Sequence, residues 1–312
     1  MSRLRIGTRA SDLATTHAGQ VAARLGEHEL VGIGGGGDLD QTTELAACGG
    51  KDAFVGALRA ALLRGEVDAV VHPFQDLPAT PADGIELAAV PKRADARDAF
   101  CSVGGAPLAD LLDGARVGTG SPRRRAQLLA ARPQLEVVPI RGDVDARLGR
   151  LTTDDADRRL DGIVLAAADL AVLDRSAAAS ELFALSDWPT APAQGALAIE
   201  IRADASAALR RRIARVDHRP SRLAASAERA VLARLEAGCG APVAATALLE
   251  DGLLFLTATV YAPDGSDAVT ASHAAYPEDS RDPAGELGAR VAEELLAHGA
   301  ASLAPELPGV GA

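Results

Sequence analysis

The sequence is poor in aromatic residues, in cysteine and in long apolar runs. Aromatic side chains make up only 3% of its 312 residues, so its cores must be built from Ala, Leu, Val and Ile. The three cysteines, Cys48, Cys101 and Cys239, match neither a disulfide framework nor a zinc site. No uncharged apolar run reaches the length of a membrane span, and the first residues lack the apolar segment of a signal peptide. We therefore expect a cytoplasmic globular protein that does not bind a membrane.

Positive charge is also scarce, and nearly all of it is arginine. The net charge is −11, which argues against nucleic-acid binding, and Lys51 and Lys92 are the only lysines. Residues 116–150 go against this trend, with the basic residues Arg116, Arg123, Arg124, Arg125, Arg132, Arg141, Arg147 and Arg150. Arg123 and Arg124 fall on the first turn of a predicted helix, where free amides and the helix dipole attract anions. The segment predicts a site for carboxylates or phosphates, and the alternative is a solvated helix face.

Strand and helix signals follow the same order twice along the chain. RIGTRAS at residues 5–11 parallels RVGTGSP at 116–122, and DAVVHPFQDL at 68–77 parallels DGIVLAAADL at 161–170. Two such alternating units predict two α/β domains, each with helices on both faces of a sheet.

The composition changes after Pro220. Segments 244–250, 253–261 and 269–275 alternate as strands of an antiparallel sheet do, and a last helix is predicted over 283–299. We therefore expect a small α+β domain at the end of the chain. The predicted domains are residues 1–92 with 197–216, residues 97–190, and residues 219–312.

Cys239 lies in an unusual setting for a cysteine. An alanine-rich helix leads up to Gly238, which is a good helix stop, and Pro242 blocks any continuation. A thiol between two glycines is poorly placed for core packing and well placed to carry a bound group. The alternative is a small buried thiol in a tight turn.

Two ionisable residues follow the strand predicted over 69–72. A lone histidine such as His72 is more often a satisfied core residue than a catalyst. Asp76, in front of Leu77 and Pro78, could be a helix cap. No pair of His or Cys residues has the spacing of metal ligands, so we expect no metal.

Eight segments in order resemble the porphobilinogen deaminase family. They are RIGTRASDLA at 5–14, GGKDAF at 49–54, VHPFQDLP at 71–78, RDAF at 97–100, VGTGSPRR at 117–124, RGDVDARL at 141–148, APAQGALAIE at 191–200 and ERAVLARLEAGCGAPV at 228–243. Each segment alone is weak, but their common order over nearly the whole chain is specific. The resemblance implies two domains like those of periplasmic binding proteins, followed by a third that carries the cysteine.

The resemblance also implies an activity and a cofactor. Family members carry a dipyrromethane on the cysteine that matches Cys239, through a thioether, and add four porphobilinogen units with loss of ammonia. Hydroxymethylbilane is released and passed to a uroporphyrinogen-III synthase. Asp76 matches the catalytic aspartate, and we expect a monomer. The residues expected to bind the cofactor are Arg9, Ser11, Gln75, Thr119, Ser121, Arg123, Arg124, Arg141, Gly142, Arg147 and Gln194.

The sequence departs from the family pattern at several positions. Gln75 stands where a lysine is usual, Asp143 replaces an asparagine, and Ala146 replaces a threonine. Four glycines over residues 34–37 open a predicted polar loop that extends to residue 50. Two alternatives to a fully active enzyme remain. One is a divergent paralogue with low activity, and the other is a non-enzymatic two-domain protein that binds small anions.

Overall fold

Three sheets organise the protein, whose computed structural model describes residues 3–34, 52–238, 240–304 and 307. Cys48, Cys239 and most of the predicted loop over 34–50 lie outside these residues. The strands are β1 (Leu4–Arg9), β2 (His28–Ile33), β3 (Ala69–Pro73), β4 (Ile85–Ala89), β5 (Asp98–Ser102), β6 (Arg116–Gly118), β7 (Glu136–Val138), β8 (Gly162–Ala166), β9 (Glu181–Leu182), β10 (Leu197–Arg202), β11 (Val243–Glu250), β12 (Leu253–Tyr261) and β13 (Ala268–Ala275). The helices are α1 (Asp12–Leu25), α2 (Asp52–Leu63), α3 (Pro122–Ala131), α4 (Val144–Leu148), α5 (Ala167–Val172), α6 (Ala207–Ile213), α7 (Arg219–Arg234), α8 (Pro283–Ala297) and α9 (Ala300–Leu303).

The first two sheets share one strand order. The first sheet runs β2-β1-β3-β10-β4, and the second runs β7-β6-β8-β5-β9. In each sheet the first three strands are parallel, and the fourth, β10 or β5, is antiparallel to both neighbours. Helices alternate with the parallel strands, which confirms the predicted α/β class. The chain crosses to the second sheet between β4 and β5 and returns between β9 and β10.

The internal repeat extends to individual hydrogen bonds. In the first unit the backbone N–H of Arg5 donates to the carboxylate of Asp68 at 2.9 Å. In the second unit the backbone N–H of Arg116 donates to the carboxylate of Asp161 at 2.7 Å. Each aspartate precedes the third strand of its sheet, β3 or β8, and ties the loop in front of that strand to the neighbouring second strand, β1 or β6. The parallel sequence segments therefore occupy equivalent places in the fold.

The third sheet is the predicted antiparallel meander, β11-β12-β13. Its core against the helices is aliphatic and includes Val231, Leu235, Leu254, Leu256, Val291 and Leu295. A hairpin turn joins β12 to β13, with Gly265 at φ 74°. A Cβ at Gly265 would lie 2.5 Å from the carbonyl oxygen of Ala126 on α3, so the close approach of this turn to the second unit requires glycine.

Some predicted details differ from the structure. The predicted helix stop at Gly238 is wrong, because Glu236 already adopts the left-handed conformation at φ 51° and the N–H of Ala237 bonds back to the carbonyl of Leu232 at 3.0 Å. Strands β2, β5 and β9 were not predicted. The strands of each sheet agree with the predicted division into domains, although the boundaries themselves stay a prediction. Among the described residues, no helix is long and apolar enough to cross a bilayer.

Candidate functional site

A buried ion cluster lies where the second sheet meets the first turn of α3. Asp98, at the start of β5, is 0% exposed. Its carboxylate accepts from Arg123 Nη1 at 2.7 Å and from Arg124 Nη2 at 2.7 Å. Trp188 Nε1 and Gln194 Nε2 complete its shell at 2.9 and 2.8 Å. The two arginines that the sequence placed on a helix start are thus held by an aspartate that sequence reasoning missed.

The charges in this cluster do not balance. Burial by itself would raise the pKa of Asp98, but the charges and hydrogen bonds of Arg123 and Arg124 lower this pKa well below its usual range. One carboxylate therefore stays ionised between two guanidinium groups. The pair of arginines keeps one positive charge in excess, close to the amides of the first turn of α3.

Arg123 and Arg124 occupy different depths. Arg123 is 3% exposed, and it also donates to Gln127 Oε1 at 2.8 Å. Gln127 in turn donates to the hydroxyl of Tyr261 at 3.2 Å; Tyr261 belongs to the third unit, which contains the sheet of β11, β12 and β13. Arg124 is half-buried and fixed to the carbonyl of Val164 at 3.1 Å. The hydrogen bonds of Arg123 join it to other residues of the protein, and its contact with the cofactor stays a prediction.

Two further predicted arginines converge on Arg124. Burial lowers the pKa of Arg147, and the positive charges of Arg124 and Arg141 lower it further. Arg147 is oriented by its Nε, which donates to the carbonyl of Gly142 at 2.8 Å. The charges of Asp169 and Asp143 offset part of this repulsion, and a bound carboxylate would offset more of it. This crowding is the feature expected of a site built for carboxylates.

The loop before α3 is shaped by three consecutive residues. Thr119 is buried, and its hydroxyl accepts the N–H of Ser121 at 3.2 Å. A Cβ at Gly120 would lie 2.7 Å from the carbonyl oxygen of Ile140, so the close approach of the two strand ends requires glycine. Ser121 caps α3, because its Oγ accepts the N–H of Arg124 at 3.3 Å. The backbone of this loop is therefore fixed before any ligand binds.

Asp76 lies at the corresponding end of the first sheet. It closes a short 3₁₀ turn over Phe74–Asp76 that follows β3 directly. Its Oδ2 is 3.8 Å from Arg9 Nη1, and both side chains are partly exposed. Gln75 is half-buried in the same turn. Ser11 caps α1, with its Oγ accepting the N–H of Ala14 at 3.4 Å.

A second buried carboxylate stands behind this turn. Glu200 on β10 accepts two hydrogen bonds from Arg59, at 3.1 and 2.7 Å, and lies 3.2 Å from His72 Nε2. Burial would raise the pKa of Glu200, but His72 and Arg59 lower it to about 2. His72 is 2% exposed, which confirms that it is a core residue, although its Nε2 has no partner of hydrogen-bond geometry among the described residues.

Gln194 and Glu228 connect the units. Gln194 is 1% exposed, and its Nε2 donates to the carbonyl of Ala96 at 2.8 Å as well as to Asp98. Glu228 on α7 is fully buried and accepts from Arg93 at 2.6 Å and from the backbone N–H of Ala193 at 2.6 Å. It also accepts the N–H of Ala247 on β11 at 2.7 Å. The two crossing segments and the third unit thus meet on one carboxylate, which sequence reasoning missed.

The ends of the two sheets face each other. His17 on α1 lies 3.9 Å from Asp169, which follows β8. This contact links the two units beside the strand ends that carry the two groups of predicted residues. The first group is Arg9, Ser11, Gln75 and Asp76, and the second is Thr119, Ser121, Arg123, Arg124, Arg141, Gly142 and Arg147, with Gln194 at the crossing between the units.

Among the described cysteines, Cys101 is free and fully buried, and burial raises the pKa of its thiol to about 11. A thiol with such a pKa is not a nucleophile at neutral pH. Cys239, the predicted attachment site, lies outside the described residues. Within the described ranges no group of three His, Cys, Asp or Glu residues could hold a metal ion.

Comparisons with known proteins agree on one family. The family model described as "Porphobilinogen deaminase, dipyromethane cofactor binding domain" matches residues 4–210, and "Porphobilinogen deaminase, C-terminal domain" matches residues 222–297. A porphobilinogen deaminase from Leifsonia xyli subsp. xyli is 51% identical over 97% of this chain and 94% of its own length. One from Cutibacterium acnes is 47% identical over 97% of each chain. A solved periplasmic solute-binding protein from Bordetella bronchispeptica is 14% identical over 68% of this chain and 77% of its own, with a TM-score of 0.37, which is too low to support a conclusion.

Proposed function

The chain belongs to the porphobilinogen deaminase family, and we propose how its own residues carry out that family's reaction. The enzyme is a hydroxymethylbilane synthase, a transferase of tetrapyrrole biosynthesis that joins four porphobilinogen molecules with loss of ammonia. The observation that carries the proposal is the surplus of positive charge around Arg124. Each porphobilinogen brings an acetate and a propionate, so the growing chain is a polyanion that this surplus would neutralise.

The residues of the second unit fit the dipyrromethane cofactor. When bound, the dipyrromethane supplies the reactive pyrrole end at which the chain grows. Arg124, Arg141 and Arg147 would hold its carboxylates, since burial and the positive charges of the other two arginines lower the pKa of Arg147 and a bound anion would offset both effects. Thr119 and Ser121 keep the loop beside them in one conformation. Binding then costs little reorganisation.

We assign the covalent link, a thioether, to Cys239. Cys101 is unsuited, because it is buried and its pKa is raised to about 11. Cys239 follows α7, which is anchored to the rest of the protein through the buried carboxylate of Glu228. The anchoring of this helix suits a cofactor that must stay in the cleft while the tetrapyrrole chain is extended.

Asp76 is assigned the acid–base and electrostatic role. The turn that carries it ends a buried strand, so its carboxylate is held on a rigid element and is still 29% exposed. A carboxylate there would stabilise the positive charge that develops on a pyrrole as the amine leaves, and could deliver a proton to that amine. Arg9, at 3.8 Å, would restrain the carboxylate and face a substrate carboxylate.

Gln75, Ser11, Arg123, Gly142 and Gln194 complete the proposed site. Ser11 and Arg123 act through the elements they fix, the start of α1 and the Asp98 cluster. Gly142, at φ 107°, sets the direction of the carbonyl that orients Arg147. Gln194 joins the crossing segment to Asp98, and Gln75 would face the ligand without adding charge.

Several coarser properties belong to the same proposal. We place the enzyme in the cytoplasm as a monomer that passes hydroxymethylbilane to a uroporphyrinogen-III synthase. The free thiol of Cys101 suits a reducing compartment. The proposed domains are residues 1–92 with 197–216, residues 97–190 and residues 219–312, in agreement with the strands of the three sheets.

Intact-mass spectrometry of the purified protein tests the covalent link. We expect a mass above the sequence value by one dipyrromethane, retained in Cys101→Ser and lost in Cys239→Ser, because an alcohol is a far weaker nucleophile than a thiolate. Added mass in the Cys239→Ser protein would place the link elsewhere. Consumption of porphobilinogen by the loaded protein then separates an active enzyme from a low-activity paralogue or a simple anion binder.

A further inference from the structure

A buried arginine of the third unit reaches the turn that carries Asp76. Arg229 lies in the middle of α7 and is 7% exposed. Its guanidinium donates to the carbonyls of Phe74 at 2.9 Å, Leu77 at 2.9 Å and Pro78 at 2.5 Å. These carbonyls stand on both sides of Asp76 in the chain.

The hydrogen bonding within the turn is weak. Its own hydrogen bond, from the N–H of Leu77 to the carbonyl of Phe74, is long at 3.3 Å. A 3₁₀ turn has poor hydrogen-bond geometry, and this one is three residues long. The planar fork of an arginine can bridge several carbonyls at once, which a single donor cannot do.

The aromatic ring of the turn adds a further contact. The guanidinium carbon of Arg229 lies 4.8 Å from the centroid of the Phe74 ring, the geometry of a cation–π contact. Burial lowers the pKa of Arg229 to about 10, and the positive charge of Arg59 contributes to this, so the side chain still carries its proton at neutral pH. Its three hydrogen bonds go to backbone carbonyls of the turn, and the negative charge of Asp76 opposes the lowering of its pKa.

We propose that Arg229 is the positioning residue of Asp76: it fixes the turn through three carbonyls and so couples the helix that leads to Cys239 to the catalytic carboxylate. The proposal rests on the assignment of Asp76 as that carboxylate. Burying a charged side chain between two units is unfavourable because the charge loses its water. The three hydrogen bonds of Arg229 to the turn offset this cost.

The same helix offers a matched control. Arg222 also donates from α7 to backbone carbonyls of the first unit, those of Leu87 at 3.2 Å and Ala88 at 2.7 Å. It pairs with Asp217 as well. Its contacts therefore join the same two units by the same chemistry, but they lie on β4 and do not touch the turn of Asp76.

The test compares Arg229→Met with Arg222→Met in the loaded enzyme. Methionine keeps the stem and its packing but donates no hydrogen bond. For Arg229→Met we expect kcat to fall by about 10- to 100-fold, the cost of a small misplacement of a reacting group, with KM for porphobilinogen within about twofold. Cofactor mass should be retained, and amide hydrogen exchange should rise in residues 74–79. Arg222→Met should change neither kcat nor exchange in that segment.

A double-mutant cycle with Asp76→Asn decides whether Arg229 acts through Asp76. If it does, adding Arg229→Met to Asp76→Asn should lower kcat by less than about twofold more. Full multiplication of the two effects, or normal kcat in Arg229→Met, would overturn the proposal. Normal turnover in Asp76→Asn alone would instead overturn the assignment of Asp76. If Arg229→Met does not fold, Arg229→Lys, which keeps the charge and fewer of the bonds, should show an intermediate kcat, and wild-type kcat there would count against the proposal.

Discussion

Strands β10 and β5 occupy equivalent places in the first two sheets, and each carries one buried carboxylate. The two carboxylates bind different numbers of arginines. Glu200 on β10 is paired with one arginine, Arg59, beside His72. Asp98 on β5 is shared by two, Arg123 and Arg124. Glu200 therefore has one arginine in direct contact, whereas the Asp98 cluster keeps one positive charge in excess. Two sheets of the same strand order therefore differ in the charge around their buried carboxylates.

In the function proposed above, this difference divides the work between the units. Arg59 comes from within α2, so its pair with Glu200 is an internal support behind the turn of Asp76. Arg123 and Arg124 come from the first turn of α3, where helix amides already favour anions. The first unit thus presents a carboxylate to the cleft and the second presents cations. One repeated scaffold can bind an anionic chain and act on its amine at the same time.

The largest effect should come from removing the counter-charge of the second unit. Asp98→Asn leaves two buried guanidinium groups without a carboxylate, and we expect a loss of about 3–5 kcal/mol in the free energy of unfolding. Urea denaturation measures it. The control is Asp113→Asn, which breaks an exposed pair with Arg132 in the same unit and should cost less than about 0.5 kcal/mol. Equal losses in both variants would mean that the Asp98 cluster is no more than a surface pair.

The next effect concerns the two aspartates at equivalent strand ends. Asp76→Asn keeps the shape of the side chain but removes its charge, so turnover of porphobilinogen should fall by about 10²-fold or more. Asp169→Asn should change turnover by about threefold or less, because its partner in the structure is the protein's own His17 at 3.9 Å. Steady-state rates of both variants decide the matter. A comparable loss of turnover in Asp169→Asn would contradict the proposed assignment of catalysis to the first unit and anion binding to the second.

A third effect concerns the pair of Glu200 and Arg59 in the first unit. The folded-state pKa of Glu200, about 2, lies below its ordinary value of 4.5, so its ionisation stabilises the fold above pH 4.5 and this contribution is lost as the pH falls toward 2. We expect Glu200→Gln to cost about 3 kcal/mol at pH 7 and to make the loss of stability between pH 4.5 and 2 shallower. Denaturation at several pH values measures both quantities.

The matched control for that experiment is Glu136→Gln. Glu136 is 61% exposed and 3.5 Å from Arg116 in the second unit. We expect its substitution to leave the pH dependence of stability as in the wild type. An unchanged pH dependence in Glu200→Gln as well would show that Glu200 has no depressed pKa in the folded protein.

Much of the fold could be predicted because its signals are local. The bounds of α1, residues 12–25, follow from the cap at Ser11 and from helical periodicity, and those of β12, residues 253–261, follow from alternation. β5 was missed because its five residues, Asp98–Ser102, begin with a charge and are too short to show a period. The end of α7 at Arg234 was missed because it depends on the positive φ of Glu236, which a residue other than glycine rarely adopts.

The sequence by itself determined which elements form, that they repeat, and which residue types are available to bind an anionic substrate. The tertiary structure decided which of these residues meet. Arg123 and Asp98 are 25 residues apart in the chain, and Arg229 and Phe74 are 155 apart. No local propensity encodes such pairs, because packing brings the partners together and burial then makes an ionic or hydrogen-bonded partner necessary. The charge balance of each sheet end is therefore a property of the folded chain.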